Sequence, residues 1–303
     1  MERGKVKNSR TNPLVSIITP TFNRAEFIEQ AVNSVLGQTY SNFELLIVDD
    51  GSTDDTRKRL DNALEDPRVH YFYQSNQGQS VARNLALSRA RGDLICFLDS
   101  DNYWPDNKLK NQIALLADNP DSDVVYGDTV TIDEYDREIS RKNMKRYSGH
   151  IARYMIRDNC VSMNTAMARR SCFDELGAMS GTRRVADDYD LWLRFSARFR
   201  FLYIPEFWAY YRVMEDQISS DKTRRVDSNW RIINDFRREF PDAMSKRDFD
   251  SGFAAFHCRK ARYLASKGAK REATREILEA MKLEPAGRAV WRSFAAVLLK
   301  RPI

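Results

Sequence analysis

No run of apolar residues in this chain approaches the ~18 needed to cross a bilayer, so an ordinary membrane-spanning helix is not expected. Cysteine is sparse. Cys96, Cys160, Cys172 and Cys258 are scattered, with no CxxC pair and no metal-ligand spacing. That pattern excludes a zinc ribbon or a disulfide framework and suits a reducing cytoplasm. Histidine is nearly absent, with only His70, His150 and His257. Glycine-rich phosphate loops are missing too: neither GxGxxG nor GxxxxGK[ST] occurs, which disfavours a dinucleotide-binding Rossmann domain and a P-loop. The start, Met1 to Asn12, is polar and basic without an apolar core, so no secretory signal is expected there. Residues 1–13 read as a flexible basic tail.

What is present is the composition of a soluble globular protein, 42% hydrophobic and 30% charged over 303 residues. The net charge of +6 is uneven: residues 221–303 hold 20 Lys and Arg against 11 Asp and Glu, the remainder 29 against 32. An acidic-leaning first part and a basic last part suggest different partners for each. Val15–Pro20, Phe43–Val48, Val69–Tyr73, Leu94–Leu98 and a short Val124–Tyr126 read as strands. Phe27–Leu36, a polar stretch from Asp54 to about Leu64, Ser80–Ala90 and Lys108–Ala117 read as helices between them. Such alternation predicts an α/β fold with a mostly parallel open sheet flanked by helices. From Thr129 to Gly181 the pattern weakens to loops and short elements. A helix opens at Asp187-Asp188-Tyr189-Asp190, the strand Phe201–Pro205 and an aromatic stretch to Tyr211 follow, and everything beyond about Ser220 reads as a C-terminal helical segment.

Asp99-Ser100-Asp101 stands directly after the apolar strand Leu94–Leu98. In an open α/β sheet, residues just past a strand's carboxyl end face the ligand crevice. Two carboxylates there repel unless a cation stands between them, and hard oxygen ligands suit Mg²⁺ or Mn²⁺ held together with substrate phosphates. The same residues could instead form a turn capping the helix near Pro105-Asp106. The pair alone leaves both readings open.

Five strings stand in order: Val15-Ser16-Ile17-Ile18-Thr19-Pro20-Thr21-Phe22-Asn23-Arg24, Ile47-Val48-Asp49-Asp50-Gly51-Ser52-Thr53-Asp54, Ala82-Arg83-Asn84, Phe97-Leu98-Asp99-Ser100-Asp101 and Asp187-Asp188-Tyr189-Asp190-Leu191-Trp192. Together they resemble an inverting family 2 glycosyltransferase with the GT-A fold, of the bacterial cell-surface glycan type, over roughly residues 14–215. The resemblance implies a catalytic domain at 14–220, with a nucleotide-sugar half at about 14–128, an acceptor half at about 129–220, and a basic helical region at 221–303. It implies a donor site at Pro20, Thr21, Phe22, Asp50, Arg83, Asp99 and Ser100, in which Phe22 lines the base and Asp50 hydrogen-bonds it. It implies Mn²⁺ or Mg²⁺ on Asp101 with Asp99 as companion, and Asp188 as the general base that deprotonates an acceptor hydroxyl. Asp187 beside it could raise its pKa by like-charge repulsion. The bland reading of Asp187, Asp188 and Asp190 is helix capping.

The implied partners are a nucleotide sugar, UDP-linked, and a glycan or lipid-linked acceptor in cell-envelope polysaccharide assembly. The sequence departs from the family at Asn102, where many relatives carry Asp, and at Met214, near where many place His. Tyr211 or Arg212 could contact the diphosphate in its stead. Trp192, Trp208 and Tyr210 read as core more than sugar platform, and Trp104 as the better candidate to line the sugar or acceptor site. Tyr263–Gly268 and Ala273–Leu283 resemble one tetratricopeptide-like hairpin. In the last helix Val290, Trp291, Phe294, Val297 and Leu298 share a face with Arg288, Arg292 and Lys300 largely off it. That reads as peripheral contact with the inner face of the plasma membrane or as plain docking. Nucleic acid is not an expected partner. Two rival classes are a nucleotidyltransferase and a non-catalytic nucleotide-sugar-binding scaffold. The first should show a glycine-rich loop after the first strand, where this chain has none.

Overall fold

The computed structural model describes residues 12–141, 143, 146–181, 185–214 and 222–299; the predicted tail therefore lies outside it, apart from residues 12 and 13. The described chain falls into two compact units. One comprises residues within Met1–Lys145, Val161–Arg184 and Phe201–Glu215, the other residues within Arg146–Cys160, Val185–Arg200 and Asp216–Ile303.

The first unit holds an eight-stranded sheet: β1 (Val15–Thr21), β2 (Phe43–Asp49), β3 (Val69–Tyr73), β4 (Leu94–Phe97), β5 (Val124–Ile132), β6 (Glu138–Arg141), β7 (Met167–Arg169) and β8 (Phe201–Arg212). Its order is β3-β2-β1-β4-β7-β5-β6, with β8 also against β5. The β3-β2-β1-β4 half is parallel; β7 runs antiparallel to both β4 and β5. All seven residues of β1 and of β2 are buried, as parallel strands covered on both faces require. Helices α1 (Ile28–Leu36), α2 (Thr56–Arg59), α3 (Gln79–Arg89), α4 (Lys108–Asp118) and α6 (Arg170–Leu176) belong to this unit. In α1, Ile28, Ala31, Val32 and Val35 are the buried face, the spacing that one side of a 3.6-residue period demands. At the starts of the strands, Glu44 accepts from Ser16 Oγ at 2.6 Å and from Arg91 N at 2.6 Å, while Gly92 N donates to Ser16 Oγ at 2.7 Å. A Cβ on Gly92 would lie 2.5 Å from Ser16 N, so only glycine lets the chain enter β4 here.

Two elements differ from the sequence reading. The polar helix expected from Asp54 to Leu64 is the four-residue α2 followed by a 3₁₀ turn at Ala63–Glu65. Asp54 spends its carboxylate on Ala25 N and Thr56 N, and a stretch polar on nearly every side has no face to bury. The short strand expected at Val124–Tyr126 runs on to Ile132 because β8 pairs along its length. β8 is continuous through Pro205, which sits where the register slips between Tyr126 and Asp128. Gly127 fits that slip: a Cβ there would meet Glu206 O at 2.5 Å.

The second unit is helical: α5 (Ala152–Met155), α7 (Asp187–Ser196), α8 (Lys222–Glu239), α9 (Lys246–Ser266), α10 (Lys270–Leu283) and α11 (Arg288–Leu299). Helices α9, α10 and α11 share a core of Ala254, Cys258, Ala261, Ala273, Ile277, Ala280, Val290 and Val297. Small residues at most of these positions allow close approach of the helices. Among the described residues no helix is long and apolar enough to cross a membrane, and all four cysteines are buried and outside any disulfide.

Candidate active site

The first two strings knit together past the carboxyl ends of β1 and β2. Asn23, in a left-handed conformation (φ 49°), donates its backbone N–H to Ser52 Oγ at 2.9 Å and accepts from Thr53 N at 2.8 Å. Arg24 N donates to Thr56 Oγ1 at 2.9 Å. Asp49 closes its own turn by accepting from Ser52 N at 2.7 Å and from the Tyr71 hydroxyl at 2.8 Å; burial and that carboxylate push the Tyr71 pKa up. Next to this knot Phe22 stands 43% exposed, an aromatic face in water beside buried Pro20 and Thr21. The Thr21 hydroxyl is buried with no hydrogen-bond partner.

Asp50 is buried and pins the entry to α3. Its Oδ1 accepts from Gln74 Nε2 and Gln77 N at 2.7 and 2.8 Å, and its Oδ2 from Gly78 N at 2.8 Å. Gly78, at φ 99°, makes a turn that residues with a side chain resist. Of the four lone-pair directions a carboxylate offers, one on Oδ2 remains.

The pair after β4 divides its labour. Asp99 is held from three sides: Arg83 Nη2 donates to its Oδ1 at 2.5 Å, Gln79 Nε2 to the same oxygen at 3.1 Å, and Asn164 Nδ2 to its Oδ2 at 2.9 Å. Arg83 is buried, so this ion pair is largely out of water. Asp101, in contrast, faces one basic group at a distance, Arg24 Nε at 3.7 Å. Burial first, then the negative charge of Asp99, push its carboxyl up to about 6 despite Arg24 and Arg212. A cation would relieve both causes. Ser100 between them is buried. Among the described residues no three His, Cys, Asp or Glu side chains cluster as a ready metal cage. Two carboxylates nevertheless match the donor set of Mg²⁺ or Mn²⁺, which keep open positions for substrate phosphates.

Asn102 accepts from Arg212 N at 2.8 Å through Oδ1, and its buried Nδ2 has no hydrogen-bond partner. Arg212 is not a diphosphate contact. Its side chain is 1% exposed and its donors go to Asp101 O, Asp133 O, Glu134 O, Gln30 Oε1 and Asp136 Oδ1. Trp104 is not a sugar platform either: it is 2% exposed, donates Nε1 to Asn164 O at 2.8 Å and carries buried Lys108 over its ring. Trp192 and Trp208 are core, as expected. Tyr210 stacks on Tyr103 with ring centroids 4.4 Å apart.

The second unit presents Asp188 in the first turn of α7. Ala186 before it is left-handed (φ 60°), strain that a non-glycine residue adopts only when held there. The three acids have separate duties. Asp187 Oδ1 accepts from Asp188 N at 3.0 Å, Asp190 Oδ2 from Arg194 Nε at 3.0 Å, and half-buried Asp188 from Asn159 Nδ2 at 2.9 Å. Asp188 is therefore not the helix cap. Sequence reasoning missed Asn164, Gln79 and Asn159, which orient carboxylates from far along the chain. Arg24 stands in the first string, where sequence reasoning gives it no role.

The chain matches the family model described as glycosyl transferase family 2 over residues 16–187. It is 31% identical over 233 residues to TuaG of Bacillus subtilis, a glycosyltransferase assigned to teichuronic acid biosynthesis, covering 75% of this chain and 89% of TuaG. It is 33% identical over 227 residues to the Escherichia coli UDP-Glc:alpha-D-GlcNAc-diphosphoundecaprenol beta-1,3-glucosyltransferase WfgD, covering 74% and 86%. The chain spans only 26–30% of the length of three Rickettsia glycosyltransferases it also matches. Among solved structures, S. aureus TarS 1-349 with UDP-GlcNAc superposes with TM-score 0.71 at 18% identity, covering 93% of this chain and 90% of TarS. PcManGT of Pyrobaculum calidifontis, a mannosyltransferase with GDP-Man and Mn²⁺, gives TM-score 0.62 at 20% identity over 95% and 80%. These likenesses show the GT-A fold.

Proposed function

The chain belongs to glycosyl transferase family 2, and from that premise we propose that it is an inverting, metal-dependent transferase that moves a sugar from a UDP-linked donor to a hydroxyl of a glycan or lipid-linked acceptor. The observation that carries this reading is the Asp101 carboxylate: partly buried, crowded by Asp99, and with its ion-pair partner Arg24 as far off as 3.7 Å. Asp99, neutralised by Arg83, positions that loop and borders the diphosphate with Ser100. A bound Mn²⁺ or Mg²⁺ supplies charge compensation for the departing diphosphate.

Phe22 and Pro20 line the base, and the orphan hydroxyl of Thr21 offers it or its ribose a partner. The remaining direction on Asp50 Oδ2 accepts one N–H, as the imide of uracil supplies. Asp188 accepts the proton of the acceptor hydroxyl as that oxygen bonds the anomeric carbon. The bond from that carbon to the diphosphate breaks on the opposite face, so the configuration inverts without a sugar–enzyme intermediate. Asn159 keeps the Asp188 carboxylate oriented. Residues 14–220 carry the chemistry in this reading, 14–128 toward the donor and 129–220 toward the acceptor. The basic region, helical in α8 to α11, meets the anionic inner leaflet in this reading, supported by Trp291, 52% exposed on α11 between Arg288 and Arg292.

The test is thermal stabilisation by UDP with and without Mn²⁺, since a ligand bound only by the folded state raises apparent stability. UDP should stabilise the parent more with Mn²⁺ present, and Asp101→Asn should lose the difference. Equal stabilisation in all four conditions refutes the metal assignment.

A further inference from the structure

We propose that Arg212 is a positioning residue that holds the main chain at Asp101 in register for cation binding. The inference rests on the reading of Asp101 as the metal contact. The five N–H donors of an arginine form a rigid fork, and here every one has a protein acceptor. Nε donates to Asp101 O at 3.0 Å, Nη1 to Asp133 O and Glu134 O at 3.1 and 3.2 Å, and Nη2 to Gln30 Oε1 and Asp136 Oδ1, both at 2.7 Å. The Phe27 ring lies 4.7 Å from its guanidinium carbon. The backbone N–H of the same residue goes to Asn102 Oδ1. One residue thus grips the loop after β4 at two successive positions and ties it to α1 and to the turn between β5 and β6.

The turn between β5 and β6 is itself held in shape. Asp136 is left-handed at φ 63°, and Asp133 accepts from Tyr135 N and Arg137 N, so its carbonyls are fixed in direction. Asn102 fits this arrangement. An aspartate there would add a third negative charge beside Asp99 and Asp101, whereas the amide accepts the Arg212 N–H without adding charge.

The experiment measures the Mn²⁺ concentration giving half of the UDP-dependent thermal shift, for the full chain and four variants. Arg212→Lys keeps the charge but loses the fork, and should raise that concentration about tenfold or more, the range found when groups orienting metal ligands are removed. Asp136→Ala with Gln30→Ala frees Nη2 only, should raise it by a smaller factor, and decides the matter if Arg212→Lys does not fold. Glu44→Gln destabilises the opposite end of the same sheet and should leave it unchanged. A folded Arg212→Lys with the parental Mn²⁺ requirement overturns the proposal, as does a Glu44→Gln variant that shifts equally. Asp101→Asn separates the two layers: if it too keeps the parental response, the metal reading itself has failed.

Discussion

Arg83→Met removes the ion pair that sets Asp99 apart from Asp101. The pair is 2.5 Å long, with the Arg83 side chain 3% exposed and that of Asp99 22%. Removing one partner of a fully buried pair costs about 3–5 kcal/mol, because the other charge is left unmatched. Asp99 keeps Gln79, Asn164 and some water, so the expected loss is about 2–4 kcal/mol. Asp99→Asn in the same background should recover part of it, giving a coupling of about 1–3 kcal/mol in the double-mutant cycle. The variant has a second consequence of opposite sign. With the Arg83 charge gone, Asp99 and Asp101 hold more unmatched negative charge between them, so Mn²⁺ without nucleotide should stabilise Arg83→Met more than it stabilises the parent. Chemical denaturation with and without Mn²⁺ reads both effects. A loss below about 0.5 kcal/mol, the level of an ordinary surface substitution, or a Mn²⁺ response no larger than the parent's, would refute the account of Asp99 as a neutralised neighbour of Asp101.

Three further outcomes are expected. Glu44 is held below the usual carboxylate range, its burial outweighed by hydrogen bonds from Ser16 and Arg91; the stability it contributes is present above its unfolded pKa and lost as pH falls through the lower folded value. Glu44→Gln should therefore cost about 1.5–3 kcal/mol at pH 7 and progressively less as pH falls below the usual carboxylate range, and a pH-independent difference would count against it. Asp188→Asn keeps an acceptor for Asn159 and should lower sugar transfer about 10²–10⁴-fold with the fold intact, while Asp190→Asn, which weakens the Arg194 bridge, should act mainly on stability; equal transfer rates for parent and Asp188→Asn would remove the base assignment. Gly127→Ala, whose methyl would meet Glu206 O at 2.5 Å, should lower the melting temperature markedly, and a neutral result would mean that β5 and β8 are looser than described.

The order of strands and helices through the first 118 residues is legible in the sequence because it rests on local signals. Fully buried parallel strands give apolar runs, α1 carries its buried face at helical spacing, and ligand-facing residues fall just past the strands. For the same reason Asp99 and Asp101 could be singled out by position, whereas Asp50 and Asp188 were named through the resemblance to the family. Phe22 was named through the same resemblance, and its 43% exposure argues against the alternative of a core residue. Where the signal was non-local the reading stopped short. The reach of β5 to Ile132 depends on β8, some eighty residues later, and Asn164 lies in the stretch where no period could be read.

Tertiary structure alone decided what each group at the site does. Arg212 was a candidate ligand contact as a stand-in for the histidine that relatives place near Met214, and Trp104 because it directly follows the acidic loop. Folding instead gave both to the protein, Arg212 reaching Gln30 across 182 positions of sequence and Trp104 reaching Asn164 across 60. It likewise separated two identical carboxylates two positions apart, matching Asp99 with Arg83 and leaving Asp101 short of positive charge. The sequence by itself determined which side chains stand at the strand ends, since strand and helix periods are properties of neighbouring residues. Which of them remain available to a ligand depended on partners brought from distant segments, and no local pattern encodes those.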